Sequence, residues 1–343
     1  MKNGTMRMPL VNCLRIFRFD SGRTITLLGK MAHLVFAINV VNRCAPKNFM
    51  EEEFSMLRTA LLLLATVFAI PAFAQIPVKS YGQALVDDLV AKNPGLLIIV
   101  MHVTPPNSPD NVIVASNIGR IGKKGDEDDM RVINTGKSNL EVAHGGERFE
   151  VELVLQDVGG DTIGALGLVF PFKAGVDKKA LETRAIKIRD GLKRRISTTG
   201  NLLEPFPFDP LATTKNHAQK LVDAAMATHP DLQILMMHVT PPNARDNIIL
   251  ASSIGRHGKK ADEDDMRVIN TGKPNLEVNA TGRRFEVELV LQDQSGKNIG
   301  ALGTVFAYKD GDDKSRLQKK AELIRDELRK QIPSIEKLAE LDP

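Results

Sequence analysis

The chain has 343 residues, 43% of them hydrophobic and 26% charged, with no Trp and only 5% aromatics. That length predicts two globular domains, and the scarcity of aromatics argues against aromatic cages and base-stacking platforms. The net charge is +4, but 9 Lys+Arg and 4 Asp+Glu precede Gln75, and without them it falls to about −1; nucleic acid is therefore not expected as a partner.

From the amino end, Met56-Leu57-Arg58 leads into an apolar run from Ala60 to Ile70, and Ala72-Phe73-Ala74 supplies a small-x-small site before Gln75. Residues 56–74 read as a secretory signal peptide, whose apolar stretch is too short to span a bilayer comfortably; the alternative is an uncleaved membrane anchor. Its removal predicts a periplasmic or secreted protein with no stable membrane span. Residues 1–55 then read as an untranslated or disordered extension, because Glu51-Glu52-Glu53 requires purine-rich codons of the kind found in a ribosome-binding site. The rival is a real extension with a membrane segment over 24–41, which Lys30, His33 and Asn39 interrupt. Both cysteines, Cys13 and Cys44, lie in this region, so the remainder needs no disulfide and offers no thiolate.

Beyond Gln75 the sequence is one unit written twice. MHVTPPN at 101–107 recurs at 237–243, and DEDDMRVINTGK, RFEVELVLQD and IGALG recur at the same offset of 136 residues without a gap. A period this long exceeds that of stacking repeats, so each copy is a domain: repeat 1 over 75–196, repeat 2 over 217–343, and between them a proline-punctuated linker over 197–216.

Within a copy, an amphipathic helix over Gln83 to Lys92 (Ala218 to Thr228) ends where Asn93-Pro94 or His229-Pro230 forbids helix. Strands over Leu96 to Val103 and Val112 to Asn117 follow, then a short helix over Asp126 to Asn134 with Asp126 as its cap. Strands over Leu140 to Ala143, Phe149 to Gln156 and Thr162 to Phe170 form a meander, and a helix over Lys178 to Arg194 (Asp313 to Lys330) closes the unit. Phe149, Val151, Leu153 and Leu155 alternate with Arg148, Glu150, Glu152 and Gln156, which predicts one buried and one wet face. The order predicts an α+β fold with an antiparallel sheet flanked by N- and C-terminal helices.

That order, with VIVASNIGRIGKK and IGALGLVF in the first copy and IILASSIGRHGKK and IGALGTVF in the second, resembles the Cache group of extracytoplasmic PAS-like sensor domains. The resemblance covers nearly all of each copy. It implies two tandem PAS-like domains, each with a small-molecule pocket between sheet and short helix. The Tyr/Arg/Trp signature of amino-acid-binding double Cache domains has no match here. No membrane helix or transmitter follows the second copy, so a sensor of this kind acts as a soluble binding protein or through a membrane signalling partner.

Several groups bear on a site. The acidic runs Asp126 to Asp129 and Asp262 to Asp265 suit a hard cation or, more simply, a helix dipole. His102 and His238 stand among apolar neighbours as pH-sensing groups or hydrogen-bonded core histidines. Arg120, Lys123 and Lys124, with Arg256, Lys259 and Lys260, interleave with glycines in a turn that could receive an anion or lie in solvent. Ala165 and Gly167, with Ala301 and Gly303, leave space for a ligand or for the first helix. The residues expected to line a pocket are Arg120, Lys124, Asp129 and Arg131, and in repeat 2 Arg256, Lys260, Asp265 and Arg267. No Ser/His/Asp, Cys/His or paired-carboxylate pattern is recognisable, so the expectation is a small-molecule-binding or sensor-type protein without enzymatic activity, metal or cofactor. The alternative is a structural or protein-interaction scaffold with no ligand.

Overall fold

The computed structural model describes residues 78–342. The signal peptide expected over 56–74 and the extension over 1–55 lie outside them. Both repeats fall within one compact unit, Ile76–Pro343.

Repeat 1 begins with α1 (Tyr81–Lys92), capped by the Ser80 hydroxyl, which accepts the Gln83 N–H. Strands β1 (Ile98–Val103) and β2 (Val112–Ser116) follow, then α2 (Glu127–Thr135). Asp126 and Asp129 close a capping box at the start of α2, and Gly136 ends it at φ 72°. Next come β3 (Asn139–Ala143), β4 (Arg148–Gln156), β5 (Thr162–Pro171) and α3 (Lys178–Lys193). The linker is not featureless: α4 (Thr199–Leu203) forms there, N-capped by Thr198, and buries Asn201 and Leu202. A five-residue helix is too short to show a periodic pattern, which is why the sequence conceals it.

Repeat 2 runs α5 (His217–Thr228), β6 (Leu232–Val239), β7 (Ile248–Ser252), α6 (Glu263–Thr271), β8 (Asn275–Val278), β9 (Arg284–Gln292), β10 (Asn298–Ala307), α7 (Lys314–Arg329) and α8 (Ile335–Ala339). Each repeat forms its own five-stranded antiparallel sheet, in the order β2-β1-β5-β4-β3 and β7-β6-β10-β9-β8. Gly164 makes the β1–β5 pairing possible, because a Cβ there would stand 1.9 Å from the His102 carbonyl oxygen; at Gly300 it would stand 2.0 Å from that of His238.

The two faces of each sheet are covered differently. On one, Ile99, Met101, Val103, Val151, Leu166, Leu168 and Phe170 pack against Leu85 and Val86 of α1 and Ala185, Ile188 and Leu192 of α3. Repeat 2 builds a separate, equivalent core from α5, α7 and its own strands. Two cores, each closed by its own helices, satisfy the expectation of two tandem α+β sheet domains.

The opposite face carries Ile98, Val100, His102, Ala165, Gly167, Val169, Glu150 and Glu152. Two expectations are corrected here. This face is not wet: Glu152 is only 9% exposed and Glu150 is half-buried. Nor does the first helix fill the space beside Ala165 and Gly167, since α1 packs on the other side and it is α2 that crosses β4 and β5. Alternation distinguishes two faces of a strand but does not say what covers the second.

Candidate functional site

The face under α2 opens in repeat 1 into a cavity of about 210 Å³. Its floor is Ile98, Val100, Gly167 and Val169; its walls carry His102, Arg120, Lys123, Asp126, Asp129, His144, Arg148, Glu150 and Glu152. The space follows from local sequence. Gly167 presents no side chain and its nearest neighbour is Val100, whose Cβ is 3.9 Å from where a Cβ would sit.

Each wall comes from a different element. Arg148, Glu150 and Glu152 alternate along β4 and project together because every second strand residue shares a face. Arg120 lies in the β2–α2 turn at φ 65°, between Gly119 and Gly122, which are also left-handed. Asp129 reaches back from α2: its Oδ2 accepts the Asp126 N–H at 2.9 Å and lies 3.3 Å from His102 Nδ1. That imidazole contact is off the line a hydrogen bond requires, and Nδ1 has no hydrogen-bond partner among the described residues.

Burial governs the protonation of this pocket. It pushes the Glu152 carboxyl up to about 7, reinforced by the negative charge of Asp129. It also raises Glu150, with Glu141 adding repulsion. Burial lowers His102, against the pull of Asp129, so the imidazole is held toward its neutral form. Among the described residues, Arg120 and Arg148 make no side-chain hydrogen bond or ion pair, so two guanidinium groups stand uncommitted beside the carboxylates. No group of three or more His, Cys, Asp or Glu among the described residues is placed to hold a metal ion.

Of the residues expected at the pocket, Arg120 and Asp129 line it. Lys124 instead pairs with Asp110 at 2.9 Å, and Arg131 with Asp128 at 2.5 Å, both on the surface. Sequence reasoning missed Arg148, Glu150 and Glu152 by assigning them to solvent, and did not consider His144. The available signal was three ionisable groups on one face of a strand whose other face is wholly apolar.

In repeat 2 the same face is closed. Met236 replaces Val100, and its methyl lies 3.5 Å from where a Cβ on Gly303 would stand. Ile234, Met236, Ile249, Ile254 and Val305 form a small apolar cluster, and Val158 of repeat 1 packs onto it. Arg256 pairs with Glu204 at 3.0 Å, Lys260 with Asp246 at 2.6 Å, and Asp265 contacts His238 at 3.1 Å. Arg267 is held by Asp264 and donates to Asn275 Oδ1 at 2.8 Å. All four residues expected at this second pocket are thus engaged within the protein.

Repeat 1 and the linker together form the lid. Arg284 Nη2 donates to Asp157 Oδ2 at 2.7 Å and its Nη1 to the Ser197 carbonyl at 2.9 Å, while Arg283 pairs with Asp161. Asn201 donates to the Ile254 carbonyl at 3.1 Å, and the Phe208 N–H to that of His257 at 2.8 Å. Burial in this joint holds the His257 imidazole down at about 4.

No family model matches the chain, and no curated protein matches it by sequence. Among solved structures, the periplasmic domain of RsbU from Chlamydia trachomatis is 9% identical at a TM-score of 0.22, covering 81% of this chain and 90% of that one. PelD from Pseudomonas aeruginosa PAO1 is 15% identical at a TM-score of 0.26, covering 83% and 88%. The E. coli DhaR(N)-DhaL complex gives 12% identity and a TM-score of 0.24, covering 66% and 84%. At these identities and scores none of the three fixes a family or a role for this chain.

Proposed function

We propose that repeat 1 is a binding module of the PAS-like sensor type, that its cavity takes a small molecule carrying both an ammonium and an acidic group, and that the protein does so outside the cytoplasm without catalysing a reaction. One observation carries this reading: among the described residues Arg120 and Arg148 stand without side-chain partners, beside Glu150 and Glu152 around a floor of small apolar side chains. An ammonium would face the glutamates, and a carboxylate or phosphate would face the arginines and Lys123. The sheet order, with a short helix over one face, supports the PAS-like part. The segment read as a signal peptide supports export, and an exported module of this kind would act alone or through a membrane partner.

A thermal-shift panel of amino acids, other zwitterions, simple carboxylates and phosphates tests the reading. A zwitterion at about a hundred times its dissociation constant should add about 2.7 kcal/mol of stability. Arg148→Ala and Val100→Met should each abolish that gain, the first by removing the anion's partner and the second by filling the cavity as Met236 does. A flat response across the panel would favour the second reading, a scaffold without ligand. The plugged face of repeat 2 already points to that second use of the same fold.

A further inference from the structure

The joint inside the chain shows what this face can hold besides a small molecule. It is a head-to-tail contact: the β4–β5 turn and the post-α3 segment of one repeat seat on the α2-side face of the next. The elements that build it recur at an offset of 136 residues, so repeat 1 carries a second copy of the receiving face and repeat 2 the same seated elements, with Asp293 and Glu340 kept from Asp157 and Glu204 but Pro333 and Lys337 in place of Ser197 and Asn201. We propose that a second copy of this chain docks there, its repeat 2 seated on the open face of repeat 1, as an open head-to-tail assembly.

Charge complementarity at the corresponding positions carries the case. The Arg284–Asp157 pair becomes Arg148 with Asp293; among the described residues Arg148 is uncommitted and Asp293 is bonded only through Oδ1, within its own turn. Arg256–Glu204 becomes Arg120 with Glu340, an exposed carboxylate that among the described residues is held only by Lys337 three residues earlier. The Arg283–Asp161 pair becomes Glu147 with Lys297: both residues have changed, both are exposed, and their charges are exchanged yet still opposite. Three pairs out of three thus keep attraction across the contact.

Backbone geometry is matched as well. The Val158 N–H donates to the Ile196 carbonyl at 2.8 Å, and the Gln294 N–H to that of Ile332 at 2.9 Å, so the two turns are held alike. The segment after each C-terminal helix pairs with the chain before its repeat's first helix, Pro205 with Ser80 and Leu341 with Asn216. On the receiving side, the turn around Ile118, Gly119 and Ile121 is exposed, while its counterpart Ile254, Gly255 and His257 is buried in the joint. A Cβ on Gly255 would lie 2.6 Å from the Tyr81 ring, whereas nothing lies within 4 Å of one on Gly119.

The apolar cap is weaker between chains, because Gln294 stands where Val158 does. Contact between chains is therefore more electrostatic than the internal joint, reversible and sensitive to salt. A contact that repeats without a closing symmetry lengthens with concentration. The docked repeat would also cover the cavity mouth, but the inference does not require that a ligand bind.

Sedimentation velocity of the full chain at rising concentration and low ionic strength tests this. Expected is a weight-average mass that climbs with concentration and falls on adding salt. Arg148→Ala should weaken association by about tenfold, and the charge reversals Glu147→Lys and Lys297→Glu each by about three- to tenfold, with circular dichroism confirming the fold. An equimolar mixture of the Glu147→Lys and Lys297→Glu proteins should regain it, since each then supplies the charge the other lacks. A chain that stays monomeric throughout, or single variants that associate like the parent, would overturn the proposal. So would a mixture that fails to recover.

Discussion

Two stretches with nearly the same sequence have come to do different things. DEDDMRVINTGK and RFEVELVLQD occur in both repeats, and both build the same sheet under the same short helix. Yet Ile118 is 39% exposed and its counterpart Ile254 only 1%, and Ile121 is 59% exposed against 3% for His257. The exposure difference arises from the covering of one face by the neighbouring repeat and linker, and Met236 in place of Val100 adds bulk on that face. Copying a fold in tandem does not copy its exposure. A site is defined as much by what lies over it as by the residues that line it.

The largest expected effects concern what the repeats share. Gly164→Ala and Gly300→Ala would each drive a methyl group into a backbone carbonyl at about 2 Å, costing roughly 3 kcal/mol or more. Denaturant unfolding should show comparable losses for both; a loss in only one would mean that the β1–β5 and β6–β10 pairings are not equivalent.

Next come the paired arginines, where the repeats should diverge. Arg284→Ala removes the partner of Asp157 in a contact whose side chains are 13% and 6% exposed, and should cost about 3 kcal/mol. Arg148→Ala, at the corresponding open position, should change stability by less than about 0.5 kcal/mol. Equal costs in the same unfolding assay would erase the distinction between joint and open face.

The smallest effect is on pH. Burial raises Glu152 and Glu286 to about 7 and Glu288 to about 8. A carboxyl whose folded-state pKa is raised binds its proton more tightly when folded, so its contribution is present at low pH and lost as pH rises through the folded value. His257, lowered to about 4, acts in the opposite sense but only below about 6.5. Between about pH 6.5 and 8 the glutamates alone remain, and stability should fall as pH rises, with Tm dropping by about 2–4 °C. Glu288→Gln should flatten that decline; a Tm that rises across the window would contradict the burial of these carboxyls.

Much of the scaffold was legible in the sequence. The internal repeat, the helix cap at Asp126 and the two-faced alternation of β4 follow from local rules that the structure obeys, although the second face of β4 is covered rather than wet. The site was legible only in part. Arg120 and Asp129 stand out as charged groups beside flexible turns, but the charges on β4 look like a solvent-facing edge until α2 is laid across them. The asymmetry could not be read at all, because Val100 and Met236 are both ordinary apolar strand residues. Their difference acquires meaning only beside a glycine on the adjacent strand, and the lid comes from a turn 78 residues before Met236.

Thiol accessibility tests the asymmetry most directly. With Cys13 and Cys44 replaced by serine, Ile118→Cys and Ile254→Cys place one reporter at corresponding positions of the two repeats. Measured with a maleimide at a concentration low enough to keep the chain monomeric, the thiol at 118 should react at least about tenfold faster, since the one at 254 must wait for the joint to open. Equal rates in a folded protein would mean that the two faces are equally covered, and that repeat 1 has no privileged site.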